Sequence, residues 1–186
     1  MNKKFLDLGY QPLANNYLRK FKKKQIKYIL KIFFNTKTKI VSISKRIPSE
    51  KMFTNNYPYR SSMSKTMQNS FYKLSVEIKK KFKPKKILEI GSNDGALIKN
   101  FHKDQAIGVE PCRNLAQITK KIGYFTYNNY WTQDLAKKIK LKEKKIDLIY
   151  SANTLSHISN LNEVFKSISL LLAAKGVLIV EDPSLL

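Results

Sequence analysis

Five short apolar runs separated by amphipathic stretches fill the second half of the chain, and this alternation restricts the fold more than any other feature. The runs are Lys86–Ile90, Ala106–Val109, Tyr124–Tyr127, Ile146–Tyr150 and Gly176–Val180. Between them, Ala96–His102, Arg113–Lys121, Thr132–Lys140 and Leu161–Leu172 carry helical patterning. Strands separated by helices of this length imply an α/β fold with a parallel sheet and right-handed crossovers. Upstream, Met63, Met67, Phe71, Leu74, Ile78 and Phe82 recur at helical spacing. They predict a helix over 61–82 with Ser61, Ser62 or Ser64 as N-cap, ended by Pro84. That apolar stripe is read as core.

Residues 1–60 differ in character and predict a small β-rich appendage, leaving 61–186 as the main domain. Lys27–Phe34 and Lys39–Ile43 flank Asn35-Thr36-Lys37-Thr38, a pattern for a β-hairpin. The first arm also fits a helix, because Ile26, Ile29, Leu30 and Phe33 share a helical face.

With 186 residues and 42% hydrophobic content the chain can build a packed core. Its single cysteine, Cys112, excludes an internal disulfide and a cysteine-cluster metal site, and fits a reducing, cytoplasmic compartment. No targeting segment is visible and no apolar stretch is long enough to span a bilayer. The formal net charge of +23 admits two readings. One is a polyanion partner, nucleic acid or an anionic membrane surface. The other is coding bias, since nearly all the charge is Lys and only Arg19, Arg46, Arg60 and Arg113 are arginines.

The chemistry concentrates where the first of the five strands ends, at Leu88-Glu89-Ile90-Gly91-Ser92-Asn93-Asp94-Gly95. This acidic-x-Gly-x-x-x-Gly turn is not the G-x-G-x-x-G loop that holds a pyrophosphate. Gly91 and Gly95 let the backbone approach a ligand closely. Glu89 and Asp94 are candidate partners for a cationic amino group. Glu110 ends the second strand, 19 positions after Gly91, where a carboxylate can accept from both hydroxyls of a ribose. S-adenosylmethionine joins these features: an amino acid, a sulfonium and an adenosine, with no phosphate. The plainer alternative is that the glycines only shape a turn and Glu110 is solvated. After the fourth strand, Asn153 and His157 are placed to face the reactive methyl. His157 is the one candidate for a base or substrate-orienting group, against a capping or packing role.

With these motifs the chain resembles the sugar C-methyltransferases that act on nucleotide-linked keto-deoxysugars. The matching residues are Asp7–Asn15, Tyr57–Ser62, Leu88–Gly95, Gly108–Pro111, Asn114–Ala116, Asn153, His157 and Ile179–Leu186. The resemblance implies a Rossmann-like class I methyltransferase sheet, S-adenosylmethionine held by Glu89, Gly91, Ser92, Asn93, Asp94, Gly95, Glu110 and Asn153, and closure of Tyr59 and Ser62 over its methionine end. A packing turn is the alternative for those last two residues. The family's N-terminal domain binds zinc through two Cys-x-x-Cys pairs. This chain starts after the place of the first pair and has Asn35-Thr36-Lys37-Thr38 at the second, so no structural zinc is expected.

The family continues beyond the fifth strand into a substrate domain that carries the sugar-nucleotide site and a catalytic segment. The expectation is therefore a fragment or one half of a split enzyme, completed by a C-terminal polypeptide beside an apolar edge at Val177–Val180. The expected activity is C-methylation of a nucleotide-linked ketosugar. One alternative is a non-catalytic cofactor-binding remnant or regulatory subunit. Another is methylation or binding of RNA, which the absence of an Arg-rich or aromatic-interleaved motif disfavours.

Overall fold

The computed structural model describes residues 1–18, 20, 24–143 and 145–183. Ser184, Leu185 and Leu186, which close the last matching motif, lie outside them. The chain divides into two compact units, Met1–Phe53 and Thr54–Leu186, so residues 54–60 belong to the second.

The first unit is an antiparallel sheet of β1 (Asn2–Pro12), β2 (Lys27–Asn35) and β3 (Val41–Ile43), in that spatial order, followed by one helical turn, α1 (Ser49–Met52). The expected hairpin is β2–β3. Pairing of Ile32 with Ile43 and of Phe34 with Val41 excludes the helical alternative for its first arm. Asn35 organises the turn: its Oδ1 accepts the N–H of Lys37 at 3.0 Å and of Thr38 at 2.9 Å, and its carbonyl accepts Lys39 N at 2.8 Å. Strand β1 carries no legible strand signal. Its register with β2 shifts between Lys4 and Leu6 and again between Asp7 and Tyr10. Each shift reverses which residues face which side, so no two-residue period survives in the sequence.

The second unit opens with α2 (Lys65–Phe82). Of the three serines considered, Ser64 is the N-cap, accepting Met67 N at 3.3 Å. Lys83, in the left-handed region at φ 44°, ends the helix just before Pro84. There follow β4 (Ile87–Ile90), β5 (Ala106–Val109), α3 (Arg113–Lys121), β6 (Phe125–Tyr127), α4 (Gln133–Glu143), β7 (Ile146–Ala152), α5 (Leu161–Leu171) and β8 (Leu172–Glu181). The five strands form one parallel sheet in the order β6-β5-β4-β7-β8. Alternate residues face opposite layers, as strand geometry requires. Leu88, Ile90, Ile107 and Val109 pack with Leu135 and Ile139 of α4 and Val164 and Ile168 of α5. Ile87, Leu148 and Tyr150 pack on the other face with Phe71 and Ile78 of α2.

Two expectations need correction. Ala96–His102 yields only a single 3-10 turn, Ile98–Asn100. The Asn100 side-chain amide donates to the carbonyls of Ala96 and Leu97, at 3.1 and 3.0 Å, and so takes acceptors that a continuing helix would use. Strand β8 begins at Leu172 rather than Gly176. Leu172 pairs with Ile146 and Val177 with Leu148, and the intervening Ala173–Gly176 bulge looks like a turn in sequence. No described helix is long and apolar enough to cross a membrane.

Candidate cofactor site

Strands β4 and β5 run parallel with Ile90 opposite Val109, so the residues that follow them meet at one sheet edge. There the chain turns through three residues of positive φ: Gly91 (75°), Asn93 (50°) and Gly95 (82°). The turn is tied to β5 by hydrogen bonds from Gly91 N and Ser92 N to Val109 O, at 2.8 and 3.1 Å. Glycine at 91 and 95 has a reason within the protein itself. A Cβ on Gly91 would run into the Thr154 side chain, and one on Gly95 would lie 2.7 Å from Thr119 Cγ2. On that side it is a neighbouring side chain of the same fold, rather than a ligand, that approaches the backbone.

The three carboxylates of the sequence reading come together at this turn, all buried. Glu110 is not the solvated residue of the plainer alternative. Its Oε2 accepts Asn93 N at 2.8 Å and its Oε1 accepts Cys112 N at 2.8 Å. Burial nonetheless raises its pKa above the ordinary carboxylate value, against the lowering effect of those N–H donors. Asp94 is committed elsewhere. Its two oxygens take the N–H of Ser62 at 3.2 Å and its hydroxyl at 2.5 Å. Glu89, 3% exposed, keeps Oε2 buried without a hydrogen-bond partner. Its pKa is held well above the usual range, first by desolvation and then by the negative charge of Glu110, with Asp94 adding to the effect. Ser92 Oγ is a second buried polar atom left unpartnered at the turn. Buried polar atoms of this kind call for a partner. An acid cluster that suppresses its own ionisation suits a cationic ligand. The residues present therefore fit S-adenosylmethionine.

Segment 59–62 lies against the turn through backbone groups. Asn93 Oδ1 accepts Ser61 N at 2.9 Å, and Asn93 Nδ2 donates to Tyr59 O at 3.3 Å. The Tyr59 ring itself is exposed. Beyond β7, Asn153 adopts φ 48° and donates its N–H to Glu181 O at 2.6 Å. His157 has an exposed side chain on the 3-10 turn Leu155–His157. Three contributors were given no site role from the sequence. Thr154 covers Gly91, Asn128 Nδ2 donates to the carbonyls of Glu110 and Pro111 at 2.9 and 2.8 Å, and Glu181 Oε2 accepts the buried Tyr150 hydroxyl at 3.0 Å. The left-handed backbone that places Thr154 next to Gly91 falls on Asn153, a residue type that tolerates it, and that was the one available signal.

A parallel sheet with a glycine turn after β4 and an acid after β5 is the arrangement of Rossmann-like folds that hold an adenosine-containing cofactor. The chain belongs to the methyltransferase domain family, whose match spans residues 59–185. Over 101 residues it is 33% identical to the C-methyltransferase NovU of Streptomyces niveus, covering 53% of this chain and 24% of that protein. The chain thus spans about a quarter of the length of this curated relative. The plantazolicin methyltransferase BpumL, solved in complex with SAH, superposes with a TM-score of 0.50 at 15% identity, over 72% of this chain and 52% of BpumL. Its complex with a triazolic desmethylPZN analog and SAH gives a TM-score of 0.50 at 17% identity, with the same coverage. At these identities the solved structures establish the shared fold.

Proposed function

We propose that the chain binds S-adenosylmethionine at the turn after β4 and serves as the methyl-donor part of a C-methyltransferase whose acceptor is a nucleotide-linked keto-deoxysugar. The observation that carries the cofactor reading is the buried, partly unpartnered carboxylate of Glu89 beside Glu110 and the Gly91–Gly95 turn. The similarity to a C-methyltransferase and the sugar C-methyltransferase motifs support the acceptor class.

In this reading Glu89 balances the cationic end of the cofactor, and Glu110 accepts from the ribose hydroxyls while keeping the turn fixed through Asn93. Ser92, Asn93 and Gly95 supply the surrounding backbone. Asp94 acts indirectly by holding Ser62, and with it the 59–62 segment, over the methionine end. Asn153 and His157 stand on the acceptor side, where His157 is the candidate base. When bound, S-adenosylmethionine supplies an electrophilic methyl on its sulfonium, and the protein's task is to hold an acceptor carbon in line with it.

A further polypeptide segment beside β8 belongs to the same reading. Among the described residues no strand pairs with the outer edge of β8, and Val180 on β8 is 44% exposed. The reading places the chain in the cytoplasm, where the buried Cys112 stays a thiol.

Calorimetric titration with S-adenosylhomocysteine, repeated on Gly91→Arg, tests the cofactor site. Micromolar binding that the substitution abolishes supports it; absence of binding by the native chain overturns it. Binding without methyl transfer to any nucleotide-linked ketosugar, with the complementing segment supplied, would select the non-catalytic reading instead.

A further inference from the structure

We propose that the edge of the second unit opposite the glycine turn is a docking surface for an anionic lipid bilayer. A parallel sheet with helical crossovers sends every helix C-terminus to the edge where the strands begin. Three of the four last turns there are basic, with Lys79, Lys80 and Lys81 in α2, Lys120 and Lys121 in α3, and Lys140 and Lys142 in α4, while that of α5 carries no basic residue. Exposed Lys83, Lys85, Lys103 and Lys145 lie on the segments leading into β4, β5 and β7.

Contacts show that this edge is one continuous surface. Lys86 Nζ reaches Asp104 O and Glu143 Oε2, both at 2.9 Å, joining the entry to β4 with the entry to β5 and the end of α4. Lys142 Nζ lies 3.7 Å from the Phe125 ring centroid, joining α4 to the start of β6. Lys103 packs over Gly123 in the turn between α3 and β6. The acids at this edge are outnumbered. Glu143 is paired with Lys86, and Asp147, which accepts Lys85 N and Lys86 N at 2.8 and 2.9 Å, and exposed Asp104 keep their charge against the many lysines around them.

Lysine helix ends alone would satisfy the helix dipoles and solubility. The apolar residues set among them are what point to lipid. Leu141 is 87% exposed between Lys140 and Lys142, Ile122 is exposed directly after Lys121, and Phe125 is exposed beneath Lys142. Apolar side chains flanked by lysines are the pattern of a protein resting in a headgroup layer. A nucleic-acid base would find a stacking surface on Phe125, but a nucleic acid would leave Leu141 and Ile122 without a role. Arginine, the usual bidentate reader of phosphate, is also missing from this edge among the described residues. Arg60 and Arg113 of this unit lie at the glycine-turn end, beside Ser61 and at the start of α3. Docked by its basic edge, the unit would turn the glycine loop away from the membrane.

The test is cosedimentation of the full chain with phosphatidylcholine vesicles, with and without phosphatidylserine. The chain is expected to pellet only with the anionic vesicles. Each lysine near such a surface is worth about fivefold in partitioning, so Lys120→Ala/Lys121→Ala/Lys140→Ala should weaken binding at least tenfold. Leu141→Ser, at unchanged charge, should weaken it by roughly fivefold. Lys65→Ala/Lys73→Ala/Lys166→Ala, equal in charge but on other surfaces, should leave most of it. Three results would each overturn the proposal: no pelleting with phosphatidylserine vesicles; equal losses from the two triple variants, which would make net charge alone responsible; or an unchanged Leu141→Ser together with tight RNA binding at this edge, which would make it a polyanion surface.

Discussion

The side chain of Thr154 fills the space that a Cβ on Gly91 would occupy. Two segments far apart in sequence, the turn after β4 and the turn after β7, are therefore fitted to each other at the sheet edge where the cofactor is proposed to sit.

Gly91→Ala carries two penalties. An L-residue at φ 75° costs about 1–2 kcal/mol, and the overlap with Thr154 adds roughly 1–3 kcal/mol. The expected outcome is a lower melting temperature and weaker S-adenosylhomocysteine binding. Thr154→Ala in the same chain should recover part of the steric share and none of the backbone share. Chemical denaturation of the two single variants and the double variant measures the difference. Strict additivity would mean that the two residues are not in contact.

Glu110→Gln keeps the shape of the side chain and removes its charge. One of the two backbone donors, Asn93 N or Cys112 N, then faces an amide NH2 instead of an oxygen. Hydrogen bonds to a charged group contribute about 1.5–3 kcal/mol, so loss of one should loosen the turn and reduce S-adenosylhomocysteine affinity at least tenfold. Amide hydrogen exchange at Asn93 provides a readout independent of the ligand. Faster exchange is expected there, with little change at Ile87.

What could be read in the sequence follows from how the sheet is built. Strands β4, β5 and β7 are covered by helices on both faces, which leaves continuous apolar runs with distinct ends. Because Ile90 and Val109 are in register, the 19 positions from Gly91 to Glu110 were enough to place a carboxylate beside the turn. Strand β1 was hidden by its two register shifts, and the early start of β8 by a bulge of small residues. In the site, residue types suggested which groups were present but not which partners they had chosen. Asp94 is bound to Ser62, 32 positions away, and Thr154 reaches Gly91 across the sheet edge. No local pattern encodes either contact.

The carboxamide oxygen of Asn35 accepts the N–H groups of Lys37 and Thr38. These two hydrogen bonds close the β2–β3 turn. Asn35→Ala removes both acceptances and should destabilise the first unit by roughly 1–2 kcal/mol. Limited proteolysis should show faster cleavage within residues 36–40. Chelator treatment of the native chain is expected to leave its melting curve unchanged; a shift on metal removal would contradict this account.

The raised pKa of Glu89 gives a pH dependence of definite sign. Burial and the charge of Glu110 favour its protonated form in the folded chain, so between the ordinary value of 4.5 and the folded value the native state binds more protons than the unfolded state. The stability this contributes is fully present below pH 4.5 and is lost as pH rises through the folded pKa. Glu89→Gln is neutral at every pH and should lose that dependence, leaving the variant more stable than the native chain at neutral and alkaline pH. Ligand binding should behave in the opposite way. A cationic ligand favours ionised Glu89, so the native chain should release protons on binding S-adenosylmethionine and bind it more tightly as pH rises, while Glu89→Gln should bind weakly with a flatter profile. Titration calorimetry in two buffers of different ionisation enthalpy counts the released protons, and equal proton release by both proteins would remove Glu89 from the cofactor site.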